Sequence, residues 1–169
     1  EKRNTHQGYA HESAWARGQA WAIYGYTLCY RETKDPKYLE QAENIAKFIF
    51  GHKNMPEDLV PYWDFDSPEI PNDSRDVSAA TIIASSLYEL STYSKNKADY
   101  LKKANTIMSS VVNKYTSDLG TNTGFILDHS TGHKPSNGEI DVPLNYADYY
   151  YLEALVRSNR LKNKQAVVQ

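Results

Sequence analysis

The stretch DVSAATIIASSLYEL, residues 76–90, has helical length and almost no charge on any face. A second stretch, DVPLNYADYYYLEAL at residues 141–155, aligns with it at a period of 65 residues and shares its Asp-Val start. A third stretch begins at Ser13, which lies 65 residues upstream of Ser78. Helices that carry small and apolar residues on most sides are buried on most sides. The repeat therefore predicts three inner helices, over about 13–31, 78–93 and 143–161.

Two further stretches repeat with a period of 62 residues, PKYLEQAENIAKFI from Pro36 and ADYLKKANTIMSSV from Ala98. Each carries Lys and Glu on one face and follows a short loop, whereas long loops precede the inner helices. This pattern is typical of outer helices, predicted over about 36–51 and 98–115. The sequence thus indicates an all-α fold of two and a half helical hairpins, with the starts of the inner helices and the long loops at one concave end.

The composition excludes several classes of function. The chain has 169 residues and a net charge of -2, which suits one globular unit and offers no broad field for nucleic acid or an anionic membrane. No apolar run approaches ~18 residues, so no membrane span is predicted. The single Cys29 excludes an internal disulfide. The chain lacks an initial Met and enters directly into dense motifs, so we expect it to be a truncated piece.

The stretch SAWARGQAW, residues 13–21, carries the first candidate site. Arg17 at the loop end of an inner helix could hold a planar carboxylate by paired hydrogen bonds, while Trp15 or Trp21 covers a sugar ring. Alternatively, both tryptophans belong to the core and Arg17 pairs with a neighbouring acid. Gly18 costs about 1 kcal/mol relative to Ala in a helix, so we expect a close approach of backbone or ligand there.

His129, His133 and Lys134 lie in the loop HSTGHKP. The two histidines have a spacing that can bind zinc on a helix, but Gly132 and Pro135 indicate a loop and no third ligand is evident, so we predict no metal site. His133 and Lys134 could contact an anionic or sulfated sugar. A solvated basic turn is the alternative.

Four aspartates invite an interpretation as a carboxylate pair. Asp76 and Asp141 hold equivalent positions in the repeat just before helices, so we expect them to be helix caps. Asp64 and Asp66 flank Phe65 and are expected to fix the long loop around a tryptophan. None of the four is predicted to be catalytic.

Three motifs together resemble a known family: HQGYAHESAWARGQAW at residues 6–21, PYWDFDSPEIPNDSRDVSAA at 61–80 and HSTGHKPSNGEIDVPLNYADYYYLEAL at 129–155. They resemble the C-terminal half of the unsaturated glucuronyl hydrolases, glycoside hydrolase family 88. The resemblance implies an (α/α)6 toroid of six helical hairpins, with residues 1–169 as the C-terminal part of its single catalytic domain. The related unsaturated rhamnogalacturonyl hydrolases usually carry Asn-Gly in place of Gln-Ala.

The resemblance implies an enzyme that releases 4,5-unsaturated uronic acid from lyase-generated oligosaccharides of the glycosaminoglycan type. An aspartate protonates C4 of the vinyl ether and water adds at C5. This general acid is expected outside the chain, in the N-terminal half. Gln7, Trp15, Arg17 and Trp21 are implied to bind substrate, and His133 and Lys134 complete the candidate set.

No cofactor is implied, and the bacterial periplasm or cytoplasm is the implied compartment. An open half-ring would expose apolar flanks, so we expect the missing N-terminal half as a partner, or self-association. Two alternatives stay open: an unsaturated rhamnogalacturonyl hydrolase acting on pectin fragments, and a non-catalytic helical-repeat module.

Overall fold

The computed structural model describes residues 4–168, which form five α-helices joined by loops. All five predicted helices are confirmed; the ends of α2 lie where they were predicted, and those of the other four are shifted by one to three residues. Two 3-10 turns lie in the last long loop, and the described residues contain isolated β-bridges but no strand. The helices are α1 (Ala16–Thr33), α2 (Pro36–Gly51), α3 (Val77–Leu90), α4 (Lys97–Lys114) and α5 (Asn145–Lys162).

The centre of the fold is α3, whose residues are all buried. It packs against α1 on one side, α5 on the other and α4 behind, while α2 packs behind α1. Helices α1, α3 and α5 therefore form an inner layer, and α2 and α4 form an outer layer. The two-layer arrangement predicted from the repeat is confirmed.

Of the two helix caps predicted at Asp76 and Asp141, the structure contains one. Asp76 caps α3 and accepts a hydrogen bond from the backbone N–H of Ala79, as predicted. The matching prediction for Asp141 is wrong, because α5 begins only at Asn145 and the Asp141 carboxylate instead pairs with His129 at 2.7 Å. The repeat aligned these two aspartates, but residues 142–144 separate Asp141 from the start of α5.

Three irregular segments meet at the loop end of the inner helices: residues 4–15, 52–76 and 115–144. A bridge between Trp15 and Asp64 joins the first two segments. Part of the third folds back on itself through the bridged pairs Ser130–Val142 and His133–Gly138. This part, residues 129–142, is called the hairpin below, and with the other two segments it forms a collar over the inner layer.

The outer sides of α1 and α5 expose large apolar side chains, as expected for the helices at the two ends of an open arc. On α5 these are Tyr149, Leu152, Leu155 and Val156. None of the helices in the described part of the chain is long and apolar enough to cross a membrane.

Candidate functional site

Arg17 lies in the first turn of α1 and is almost fully buried, at 3% exposure. Its Nη1 contacts the carboxylate of Asp76 at 2.6 Å and donates to the carbonyl of Thr131 at 2.6 Å. Its Nη2 donates to the carbonyl of Gly132 at 2.5 Å. The structure therefore shows the alternative expectation for Arg17, a pair with a neighbouring acid, and one guanidinium connects α1, the start of α3 and the hairpin.

Aromatic rings cover the Arg17 guanidinium, whose carbon lies 4.8 Å from the ring centroid of Trp15 and 5.5 Å from that of Tyr146. Gly18 makes room for this arrangement, because a Cβ there would stand 2.8 Å from a Trp15 ring carbon. A close approach is thus present at Gly18, as predicted, but the group that approaches is the Trp15 ring and not a backbone segment or a ligand. Such stacking holds a cation and an indole in one fixed arrangement.

Gln7 contacts the same carbonyl as Arg17, since its Nε2 donates to the oxygen of Gly132 at 3.1 Å. No side chain fits at Gly132, because a Cβ would lie within 2.1 Å of the Glu139 carboxylate. The segment that carries Gln7 is anchored by the fully buried Asp64, which accepts from the backbone N–H of Tyr9 at 2.9 Å and the Ser13 hydroxyl at 2.8 Å. The structure therefore brings Gln7, Trp15 and Arg17 together.

His133 follows Gly132 and turns toward the N-terminal segment. Its Nε2 lies 3.3 Å from the carbonyl oxygen of His6, and its Nδ1 contacts the hydroxyl of Ser136. The rings of His6 and His133 lie 5.2 Å apart. Because both ring nitrogens have protein partners, His133 offers its ring face more readily than a nitrogen atom.

Lys134 lines a neighbouring cleft together with Trp63 and Glu69. Its ammonium group pairs with Glu69 at 2.9 Å and with the buried Asp73, and it lies 5.6 Å from the ring centroid of Trp63. Burial lowers the pKa of Lys134, but the bonds to Asp73 and Glu69 outweigh it and raise the pKa overall. Lys134 thus does not join the group formed by Gln7, Trp15 and Arg17.

Trp21 lies one turn of α1 beyond Arg17 and is 36% exposed, with its ring edge-on to Tyr150 at 5.2 Å. Tyr146 and Tyr150 are functional candidates that the sequence analysis missed. Their spacing would have revealed them, because residues 146, 150, 153 and 157 share one face of α5. That face lies against α1, as the contacts of Arg17 and Trp21 show.

Further along the inner helices, Arg157 closes the space between α5 and α3. Its Nη2 contacts Glu89 at 3.1 Å and its Nη1 donates to the carbonyl of Ser85 at 2.9 Å. Tyr24 of α1 donates to Glu153 at 3.1 Å, and burial raises the pKa of Tyr24 to about 12. A second buried charge cluster thus links the three inner helices away from the loop end.

The sequence predicts no metal site at His129 and His133. In the structure, His129 pairs with Asp141, whereas His133 contacts His6 and Ser136. Between residues 4 and 168 there is no group of three or more His, Cys, Asp or Glu side chains placed to bind a metal ion.

The chain is similar to known proteins in both sequence and structure. No protein-family model matches the chain. It is 52% identical over 160 residues to the unsaturated glucuronyl hydrolase of Formosa agariphila, covering 94% of this chain and 40% of that protein. A crystal structure of an unsaturated glucuronyl hydrolase specific for heparin superposes with a TM-score of 0.94 at 52% identity, over 96% of this chain and 44% of that one.

A second similar structure is a variant of the unsaturated glucuronyl hydrolase of Streptococcus agalactiae complexed with dGlcA-GalNAc6S. It is 33% identical, with a TM-score of 0.82, over 92% of this chain and 42% of that one. The chain thus spans about 40% of the length of the curated relatives that it matches.

Proposed function

Since the chain belongs, by sequence and fold, to the unsaturated glucuronyl hydrolases of glycoside hydrolase family 88, we propose that it forms the C-terminal part of a single α/α-toroid catalytic domain. The enzyme so formed releases 4,5-unsaturated uronic acid from the non-reducing end of glycosaminoglycan-type oligosaccharides. The names of the relatives support this activity. The alternation of inner helices α1, α3 and α5 with outer helices α2 and α4 supports the toroid.

The proposed reaction is hydration of the vinyl ether. A carboxylic acid transfers its proton to C4 and a water molecule adds its oxygen to C5 while losing a proton, which gives a hemiketal at C5. The hemiketal opens by breaking the bond between C5 and the ring oxygen, which leaves a ketone at C5 and a hydroxyl on C1. The hemiacetal thus formed at C1 then breaks its bond to the neighbouring sugar, which leaves with its hydroxyl group while C1 becomes an aldehyde. The acid must touch the substrate and must match the working pH. We place it outside residues 1–169, in the N-terminal half, as the resemblance to the family implies; within this chain Asp64 and Asp76 are completely buried.

One observation carries the proposed binding role of this chain: Gln7 and Arg17 converge on the carbonyl of Gly132, beside the rings of Trp15 and Tyr146. Fixed polar donors next to aromatic faces are what binds a sugar ring, since its hydroxyls need hydrogen bonds and its C–H faces need apolar cover. The contacts of Arg17 do not use all its N–H donors, which leaves a donor for the substrate.

We call the surface formed by Gln7, Trp15, Arg17 and Tyr146 the wall. Trp21 extends the wall along α1, and His133 covers it from the hairpin. We propose Gln7, Trp15, Arg17 and Trp21 as substrate-binding residues, with His133 contributing its ring face and Lys134 acting in the adjacent cleft. The proposed ligand is an unsaturated uronyl oligosaccharide, and the proposed partner of the exposed apolar side of α5 is the remainder of the ring. These assignments need no cofactor.

The test is the loss of ultraviolet absorbance when the double bond of an unsaturated chondroitin or heparin disaccharide is consumed. The full-length protein should consume it. Arg17→Lys keeps a positive charge beside Asp76 but loses the forked set of hydrogen-bond donors, so it should lower kcat/KM more than about tenfold. Arg160→Lys, at the far end of α5, is the matched control and should stay near the full rate.

Turnover by residues 1–169 alone would place the acid within this chain and contradict the proposed division of roles. Consumption of pectin-derived but not glycosaminoglycan-derived disaccharides would replace the substrate class with that of the rhamnogalacturonyl hydrolases. Binding without any turnover by the full-length protein would instead identify a non-catalytic module.

A further inference from the structure

The inner helices α1 and α5 flank α3, and their side chains meet at successive levels that begin at the loop end. Each helix contributes one stripe at helical spacing, residues 17, 21 and 24 of α1 and residues 146, 150, 153 and 157 of α5. At the first level Arg17 meets Tyr146, and at the second Trp21 meets Tyr150. The levels below them have no role in the proposed function so far.

Trp21 is 36% exposed, so part of its indole is open to a sugar. An exposed ring of this kind loses rotational freedom when a ligand binds to it, unless the protein already fixes the ring. The ring of Tyr150 stands against the indole at a centroid distance of 5.2 Å and an interplanar angle of 72°. Edge-to-face pairs with this geometry favour one relative orientation of the two rings, so Tyr150 supports the indole of Trp21.

Tyr150 is supported in turn by Tyr24 of α1, whose ring lies 5.3 Å away at an interplanar angle of 79°. The ring of Tyr150 therefore contacts two aromatic rings of α1, those of Trp21 and Tyr24. Burial raises the pKa of Tyr150 and raises the pKa of Tyr24 to about 12. Both hydroxyls thus stay protonated and both rings stay neutral at neutral pH.

The buried charge cluster at the far end of the inner helices holds Tyr24. The Tyr24 hydroxyl donates to Glu153 at 3.1 Å, and the guanidinium carbon of Arg157 lies 5.3 Å from the centroid of the Tyr24 ring. Glu153 also accepts from the Ser85 hydroxyl and pairs with Arg157 at 3.4 Å. Arg157 is 4% exposed and bound to Glu89 at 3.1 Å. Because moving a buried charge away from its partners is costly, this cluster is a fixed base for Tyr24.

We infer that Tyr24 and Tyr150 are positioning residues, which join the buried charge cluster to Trp21 and hold its indole in place for a sugar ring. The inference rests on the proposed function, since it requires that Trp21 binds substrate. Neither tyrosine needs to touch the substrate, because each acts through the next ring in the series from Arg157 to Trp21. The cluster thus acts on the wall from about two helical turns away.

The first test compares Tyr150→Leu and Tyr150→Phe in the full-length protein, by the kinetics on an unsaturated disaccharide. Tyr150→Leu removes the ring beside Trp21, so substrate must order the indole and KM should rise about two- to tenfold, the cost of ordering one side chain. The value of kcat should change less than about twofold, because the reacting atoms are held elsewhere. Tyr150→Phe keeps the ring and should restore the KM of the parent.

The matched control is Tyr38→Leu in the outer helix α2, where the ring of Tyr38 stacks on Tyr26 of α1. It makes the same chemical change at another tyrosine pair and should leave KM unchanged. An unchanged KM in Tyr150→Leu would overturn the inference, and so would a Tyr150→Phe variant as impaired as Tyr150→Leu. In either case the proposed function stands as long as the parent consumes the disaccharide.

The second test concerns the step from the charge cluster to the rings. Tyr24→Phe keeps the ring but removes the hydrogen bond to Glu153, so KM should rise about twofold, at the low end of the same range. In a Tyr150→Leu background the same substitution should have no effect, because the connection to Trp21 is already broken. Fully additive effects would overturn the inference. If Tyr150→Leu does not fold, Tyr24→Phe alone decides, since an unchanged KM would overturn it.

The mobility of the indole is a measurement that does not depend on turnover. In full-length protein with ¹⁵N-labelled tryptophan, the indole N–H signal of Trp21 is identified by its absence in Trp21→Phe. Its ¹⁵N relaxation should show a more mobile ring in Tyr150→Leu than in the parent or in Tyr150→Phe. Equal mobility in all three would overturn the inference and leave the proposed function intact. If the full-length protein consumes no unsaturated disaccharide, the proposed function fails and the role of the two tyrosines in substrate binding fails with it.

Discussion

Breaking the buried pair formed by Arg17 and Asp76 should destabilise the protein strongly, because one charge is then left buried without its partner. Asp76→Asn tests this, because asparagine caps a helix about as well as aspartate. The cap on the backbone N–H of Ala79 should therefore survive, and the negative charge next to Arg17 is what the substitution removes.

The magnitude follows from burial. The side chains of Arg17 and Asp76 are 4% and 0% exposed, so solvent screens their 2.6 Å contact very little. Removing one partner of a buried ion pair leaves an uncompensated charge and costs about 3–5 kcal/mol. Folded domains have about 5–15 kcal/mol of stability in total. Asp76→Asn should therefore shift the unfolding midpoint far outside experimental error.

The assay is urea unfolding followed by far-ultraviolet circular dichroism and tryptophan fluorescence. The matched control is Asp35→Asn at the start of α2, an aspartate cap whose partner Lys37 lies in solvent. That variant should unfold at the midpoint of the parent. The double variant Arg17→Met with Asp76→Asn should recover stability relative to Asp76→Asn, because no charge is then left buried. A midpoint for Asp76→Asn equal to that of the parent would refute the reasoning.

Three smaller effects complete the set. In α1, a Cβ added at Gly25 meets nothing within 4 Å, so Gly25→Ala should raise the free energy of unfolding by about 1 kcal/mol. A Cβ added at Gly18 collides with Trp15, so Gly18→Ala should give no such gain. Equal gains for the two variants in thermal unfolding would contradict this. Burial raises the pKa of Asp73, but the hydrogen bonds that its carboxylate accepts outweigh burial and lower the pKa in the folded state. Its contribution to stability is therefore complete above about pH 4 and is lost as the pH falls below that value. Asp73→Asn should therefore flatten the decline of Tm at acidic pH. Parallel curves of Tm against pH for the variant and the parent would count against it. Among residues 4–168 the buried hydroxyl of Ser130 has no hydrogen-bond partner, so Ser130→Ala should stabilise the protein by up to about 1 kcal/mol in urea unfolding. A loss of stability would contradict this.

The helices and their layers could be predicted because helices buried on all sides differ in amino-acid composition from helices with one exposed face. In α3 every position is buried, and the stretch therefore lacks the charged face of α2 and α4. The close approach at Gly18 could be predicted for a related reason, since glycine inside a helix is unfavourable unless something occupies the space of its Cβ.

The partners of Arg17 could not be predicted, because two of them are backbone carbonyls, which every residue possesses. Thr131 and Gly132 lie 114 and 115 positions away in sequence and carry no side-chain signal for this contact. The place of Lys134 was equally hidden, since the folded loop between Trp63 and Asp73 decides which acids meet it. Charge counted along the sequence cannot give the net charge of such a cleft.

The buried carboxylates near the collar share one property that bears on the proposed reaction. Asp64 holds the segment of Gln7, Asp73 holds Lys134 and Trp63, and Asp76 holds Arg17. A general acid must reach the carbon that it protonates, and all three side chains are closed off by the donors that they bind. Their common effect is to fix the donors and rings of the wall before substrate arrives. If the acid lies elsewhere in the ring, as proposed, substitutions in this part should weaken substrate binding without shifting the acidic limb of the pH–rate profile.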